Sequence, residues 1–193
     1  MRVITGRFKG RHLQTVRDLS VRPATDRVKK TIFDMLATRI DLNGAQVLDL
    51  FAGSGSLGFE ALSRGAERVT FLENDRDAAD CIERNATTFG CLAETVILET
   101  DALAFVHTSR GKYDVIFADP PYAFPRTGEI PELVFMQGLL KRNGYLLIEH
   151  SSDLRFATTG AYRAGPEKKF GRTLVTFFRH PAVADNPQPS EMG

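Results

Sequence analysis

The chain has 193 residues, of which 42% are hydrophobic and 25% charged, and its net charge is +1. That composition fits a single soluble globular domain large enough to bury a core unaided, and it excludes collagen-like, wholly disordered and disulfide-scaffold classes. No apolar run approaches the roughly 20 residues that cross a bilayer. The opening MRVITGRFKGRHLQT has no apolar stretch of the secretory-signal kind, and the two cysteines, Cys81 and Cys91, form no CxxC pair, so a reducing, cytoplasmic setting without metal is expected.

The small net charge conceals a strong asymmetry. Residues 1–30 carry nine basic side chains against two acidic ones, whereas residues 31–162 carry 11 basic and 19 acidic. A basic arm on an acidic body suggests a polyanionic partner. Arg7, Lys9, Arg11, Arg22, Arg27, Lys29 and Lys30 are the candidate phosphate contacts. Such an arm is expected to be removable without loss of small-molecule binding.

In chain order, RVIT and HLQTV flank the turn GRFKGR and predict a short β-hairpin. A helix is expected after Pro23, with Thr25 as N-cap and Val28, Ile32, Met35 and Leu36 on one face. From residue 46, strands alternate with helices. QVLDLF, RVTFLE, ETVILE, YDVIFAD and YLLIEH are the strands; helices are expected over LGFEALSRG, over 76–89, from 102, and over 128–141. Continuous apolar strands separated by helices predict a parallel sheet covered on both faces. The segments 161–165 and 173–179 predict an antiparallel hairpin on its edge, giving seven strands. Residues 1–40 read as a basic extension, 41–180 as the main α/β domain and 181–193 as a disordered, proline-bearing tail.

In such a sheet, ligands bind at the carboxyl ends of the strands. The first strand runs into Asp49-Leu-Phe51-Ala-Gly53-Ser-Gly55-Ser-Leu-Gly58, a turn whose glycines allow close approach to a ligand. The second ends at Glu73, placed to accept hydrogen bonds from the ribose hydroxyls of an adenosine ligand. Both features suit NAD and S-adenosylmethionine equally. Asp49, at the strand end, favours a cationic amino-acid-bearing ligand over a pyrophosphate, and Asp101 is placed to accept from an adenine amine, a role compatible with capping the next helix. The fourth strand ends Asp119-Pro120-Pro121-Tyr122. Two prolines remove two backbone donors, so this corner offers acceptors alone. Acceptors converging beside an aromatic ring suit a planar amine with two N–H groups.

DLFAGSGSLG, FLENDRDA and ADPPY, in this order, resemble class I S-adenosylmethionine-dependent methyltransferases that act on exocyclic amines. RVITGRFKGRHL, RPATDRVKKTIFDML and KKFGRTLVTFF extend the resemblance over residues 1–179 to bacterial 16S rRNA (guanine-N2)-methyltransferases of the RsmD type. The resemblance implies a Rossmann-like fold, S-adenosylmethionine as cofactor, and 16S rRNA or a 30S assembly intermediate as partner for a monomer. It implies that Asp49, Phe51, Gly53 and Gly55 contact the methionine part, Glu73 the ribose and Asp101 the adenine edge. Asp119, Pro120, Pro121 and Tyr122 would form the target-amine pocket. Competing readings are an N6-adenine methyltransferase, a protein glutamine methyltransferase (whose motif is NPPY), an NAD oxidoreductase, and a non-catalytic RNA-binding module. The four histidines are scattered, with no hydride-transfer pair evident, and His150 reads as structural.

Overall fold

A computed structural model describes residues 1–16 and 26–181. Its elements are α1 (Asp26–Ala37), β1 (Gln46–Asp49), α2 (Ser56–Ser63), β2 (Arg68–Glu73), α3 (Arg76–Phe89), β3 (Thr95–Glu99), α4 (Ala102–Thr108), β4 (Tyr113–Ala118), α5 (Ile130–Met136), β5 (Leu140–Ser151), β6 (Arg163–Phe170) and β7 (Thr173–Arg179). They build one seven-stranded sheet in the order β3-β2-β1-β4-β5-β7-β6. β1 to β5 are parallel, and β6–β7 is an antiparallel hairpin on the β5 edge.

Alternation along the strands divides the core in two. Val47, Phe71, Phe117, Leu147 and Phe177 meet α1, α2 and α3 on one face. Leu48, Leu72, Ile116, Ile148 and Phe178 meet α4 and α5 on the other. Strands buried on both faces account for the unbroken apolar runs in the sequence. The chain winds from β1 outward to β3, then returns to place β4 on the other side of β1, so the crevice at the β1/β4 strand ends is where a ligand belongs.

Four elements depart from expectation: β5 begins five residues before YLLIEH, β6 runs Arg163–Phe170 in place of 161–165, and a helix and the amino-terminal hairpin are shorter than expected. The helix expected over 128–141 ends at Met136, because Gly138 adopts a left-handed φ of 61° and Leu140 pairs with Tyr113. The amino-terminal hairpin contracts to one bridge, Arg2 to His12. Its loop docks on α2 instead. The buried Glu60 carboxylate accepts the N–H groups of Ile4 (2.7 Å) and Thr5 (3.1 Å), and Ser63 Oγ accepts that of Phe8 (2.9 Å). Val3, Phe8 and Leu13 join the α1–α3 core, so the first 16 residues share one core with the sheet. The expected N-cap Thr25, Arg22 and the tail from 182 lie outside the described residues.

Candidate active site

The turn after β1 is built largely from backbone. Gly53 and Gly55 adopt φ of 54° and 77°, which glycine reaches without a Cβ clash. The Gly53 N–H donates to Glu73 Oε2 at 2.7 Å, and the Asp75 N–H donates to Glu73 Oε1 at 3.0 Å. The end of β2 thereby fixes the turn after β1. Asp49 Oδ2 accepts the Gly58 N–H in the first turn of α2, at 3.2 Å. Its Oδ1 is buried without a partner. Burial pushes the Asp49 carboxyl up to about 7; the Gly58 bond opposes that shift and the Glu73 charge adds to it.

Asp49, Phe51, Gly53, Glu73, Asp101, Asp119 and Pro121 line one cavity of about 590 Å³. Asp49 and Glu73 end β1 and β2, and the other five follow the carboxyl ends of β1, β3 and β4, as the topology requires. Asp101 also caps α4, accepting the Ala104 N–H at 2.8 Å. Phe51 packs edge-on against Phe124, with ring centroids 5.2 Å apart, and both rings line the cavity. Asp119 is pushed well above the ordinary carboxylate range, first by burial and then by the charges of Glu149 and Asp49.

Three expected site residues stand apart from this wall. The Gly55 N–H is committed to the Ala52 carbonyl at 2.7 Å, and a Cβ at Gly55 would lie 2.6 Å from the Phe59 ring, so Gly55 packs α2 and does not present a donor. Pro120 is buried outside the wall. Tyr122 is 65% exposed beside it, with its hydroxyl 3.4 Å from Ser151 Oγ and from the Arg172 carbonyl.

The basic arm requires a larger correction. Lys29 is fully buried: its ammonium donates to the Arg2 carbonyl (2.6 Å) and to Ser56 Oγ (3.1 Å), and burial lowers its pKa. It therefore has no surface to offer a phosphate. Arg7 pairs with Glu94 and lies 4.5 Å from the Phe8 ring. Arg11 donates to the Phe89 and Thr88 carbonyls and stacks 5.0 Å from the Phe89 ring. Lys30 pairs with Asp34 at 2.6 Å. Lys9 and Arg27 are exposed. The arm also reaches the cavity, where Met1, Thr15 and Val16 form part of the wall. No sequence signal marks those three residues. Glu149, an acid ending an apolar strand, did carry a signal that the reading of the strand ends passed over.

The sheet order, with a cavity at the β1/β4 strand ends, defines the class as an α/β protein of Rossmann-like fold. A solved RNA methyltransferase from Salinibacter ruber, in complex with S-adenosyl-L-homocysteine, shares that fold at a TM-score of 0.64 and 14% identity, over 86% of this chain and 99% of that one. More specifically, the chain belongs to the family described as Conserved hypothetical protein 95, whose sequence model matches residues 1–179. It is 36% identical to the ribosomal RNA small subunit methyltransferase D of Haemophilus influenzae, over 89% of either chain. A solved hypothetical protein of Thermus thermophilus superposes with a TM-score of 0.81 at 25% identity, covering 93% of this chain and 99% of that one. Among the described residues no cluster suits a metal ion and no helix is long and apolar enough to cross a membrane.

Proposed function

We propose that the chain methylates the exocyclic N2 amine of a guanine in 16S ribosomal RNA, with S-adenosylmethionine as donor. The observation that carries this reading is the row of acidic acceptors along one cavity, at the ends of β1, β2, β3 and β4. The orphaned Asp49 Oδ1 fits the cationic amino group of the donor's methionine part. Glu73 fits its ribose hydroxyls, and Asp101 its adenine amine. Bound there, S-adenosylmethionine supplies an activated methyl group on its sulfonium sulfur.

The remaining work falls to this chain's own side chains. A guanine amine is a weak nucleophile, because its lone pair is delocalised into the ring. Asp119, accepting an N–H of that amine, draws the lone pair out of conjugation and aims it into the cavity. Positioning of this kind replaces a bimolecular encounter by an effectively unimolecular one. The base must be unpaired or flipped to enter. The exposed Tyr122 ring beside the cavity offers a stacking surface, a contact worth about 1–3 kcal/mol per base.

The deciding experiment is transfer of tritiated methyl from S-adenosylmethionine to unmodified 16S rRNA and to 30S particles, followed by nucleoside analysis. N2-methylguanosine is expected. N6-methyladenosine would replace the target, and cofactor binding without transfer would leave a binding module. Asp119→Ala should lower turnover about 10²-fold or more, in the range for a lost positioned catalytic group. Cofactor affinity should change less than turnover, because Glu73 and Asp101 remain in place although Asp119 shares the cavity wall with them. Unchanged turnover would remove Asp119 from the chemistry.

A further inference from the structure

Glu149 is outside the cavity wall and has no part in the reading above. On β5, Tyr145 and Leu147 face the α1–α3 core, and Glu149 takes the next place on that face. On β4, Val115 and Phe117 face the same core, and Asp119 follows them. The strands pair Phe117 with Leu147 and Ala118 with Ile148. Continued one residue past the end of β4, that register would bring Asp119 opposite Glu149 at a strand spacing of about 4.8 Å, and the Glu149 charge does act on Asp119. Glu149 Oε2 is buried with no hydrogen-bond partner.

The surroundings offer this pair little relief. Asp49 ends β1 on the same face, level with Phe117, and adds a third carboxyl. On the other side, Glu149 is opposite the uncharged Val175 of β7, and the first cation in that row is Lys168 of β6. Arg172 lies in the turn beyond, where its carbonyl accepts from Ser152. His150 turns to the opposite face, with its Nε2 2.7 Å from Thr176 Oγ1. Burial raises Glu149 to about 7, and burial followed by the Glu149 charge raises Asp119. Two carboxylates a rung apart in a buried site cannot both ionise cheaply, and one shared proton relieves them.

We propose that Glu149 is a positioning residue for the reaction proposed above: as the neutral acid it donates its O–H to the Asp119 carboxylate, holding Asp119 ionised and aimed at the target amine. The orphaned Oε2 is the place for that proton, and Asp119 is the acceptor across the rung. Arrival of the amine fixes its location, because N–H donors directed at Asp119 favour that group's ionised form and leave the proton on Glu149. When the methylated amine loses a proton, its N–H bond breaks toward Asp119 and the electron pair stays on nitrogen. Both carboxyls are then protonated, and release of one proton to water restores the starting pair.

Carboxyl carbon-13 NMR of the labelled protein, without donor or RNA, tests the pairing directly. The Asp119 and Glu149 signals should each move in two separated steps with pH, and in Glu149→Gln the Asp119 signal should move in one. Two independent single steps at ordinary carboxylate values would overturn the proposal. Methyl transfer to 30S particles then tests the donor role. Glu149→Gln keeps a donor, so its kcat should stay close to wild type, while Glu149→Ala should lose about tenfold or more in kcat with KM for the particle unchanged. A Gln variant as impaired as the Ala variant would also overturn it. If the wild-type protein transfers no methyl to RNA, the functional reading falls while the titration still decides the pair.

Discussion

The turn after β1 and the amino-terminal segment are both rich in glycines and charges and both wall the cavity, but they are held in place by different routes. In the turn, the partners that hold Asp49 and the glycines are close in sequence: Asp49 reaches Gly58, Gly55 reaches Ala52, and Gly53 reaches Glu73 across 20 residues. In the amino-terminal segment they are remote: Thr5 reaches Glu60, Phe8 reaches Ser63, and Arg7 reaches Glu94 across 87 positions. Spacing alone determines what the turn can do. What a basic residue in the segment can do depends on which distant acid or carbonyl the fold brings to it, and Lys29 and Lys30, adjacent in sequence, have opposite fates.

The strongest way to break this comparison is to delete residues 1–16. Val3, Phe8 and Leu13 are each buried, and burial of such side chains stabilises by about 1.5–3 kcal/mol apiece. The deletion also strips Glu60 of two backbone donors, hydrogen bonds to a charged group worth about 1.5–3 kcal/mol apiece, and leaves it the ion pair with Arg64. Against a typical stability of about 5–15 kcal/mol, the truncated chain should be unfolded or nearly so by circular dichroism. A truncated protein that melts near the wild-type temperature and binds S-adenosylmethionine would restore the detachable arm.

Elements with strong local signals were legible in the sequence. β2 and α3 fall where expected, because RVTFLE is a short β-rich run bounded by charges and buried on both faces, and α3 runs from the Asp75 cap to the left-handed Gly90. The Asp49, Glu73, Asp101 and Asp119 set was legible because strand ends and glycine turns are written locally. The early end of α5 was not, since it depends on Leu140 being taken up by Tyr113 of a neighbouring strand. The burial of Lys29 was not legible either: its acceptors are the Arg2 carbonyl and Ser56, both 27 positions away. YLLIEH marks Glu149 as an acid at the end of an apolar run, but its nearness to Asp119 depends on the β4–β5 register, which the sequence does not supply.

The turn can be tested through Asp49, whose carboxyl rises from 3.8 to about 7 on folding. A raised folded value contributes stability that is full below the unfolded value and lost as pH rises through 7. The shift corresponds to about 4 kcal/mol for the protein without ligand. Asp49→Asn cannot titrate, so denaturation between pH 4 and 8 should lose less stability in the variant than in wild type. S-adenosylmethionine affinity should rise through pH 7 in wild type, as the carboxylate forms, and rise less in the variant by calorimetry, where the raised Asp119 and Glu149 carboxyls can still charge. Parallel curves would mean that Asp49 does not meet the cationic group.

The two glycines of the turn separate packing from binding at a smaller scale. Gly55→Ala places a methyl 2.6 Å from the Phe59 ring at a left-handed φ, and overpacking should destabilise by about 1–3 kcal/mol. Gly53→Ala meets no atom within 4 Å and carries only the left-handed penalty of about 1–2 kcal/mol, but it projects from the cavity lining. Thermal melting should rank Gly55→Ala below Gly53→Ala, and donor affinity should rank them in reverse. The same rank order in both assays would assign the two glycines one role.

The smallest effect belongs to Lys9, which is exposed at the tip of the amino-terminal turn. Its neighbours Arg7 and Arg11 are tied to Glu94 and to the end of α3, so the segment's outward charge rests more on Lys9 than the raw count of basic residues suggests. Lys9→Ala should leave stability within about 0.5 kcal/mol, as for a surface substitution away from special contacts. On the proposed RNA reading it should weaken binding to 16S rRNA and reduce the slope of log affinity against log salt by about 1, the signature of one lost phosphate contact. Filter binding at several salt concentrations measures that slope. An unchanged slope would mean that the segment's charge serves the fold, as it does at Lys29, and that phosphates are held elsewhere on the surface.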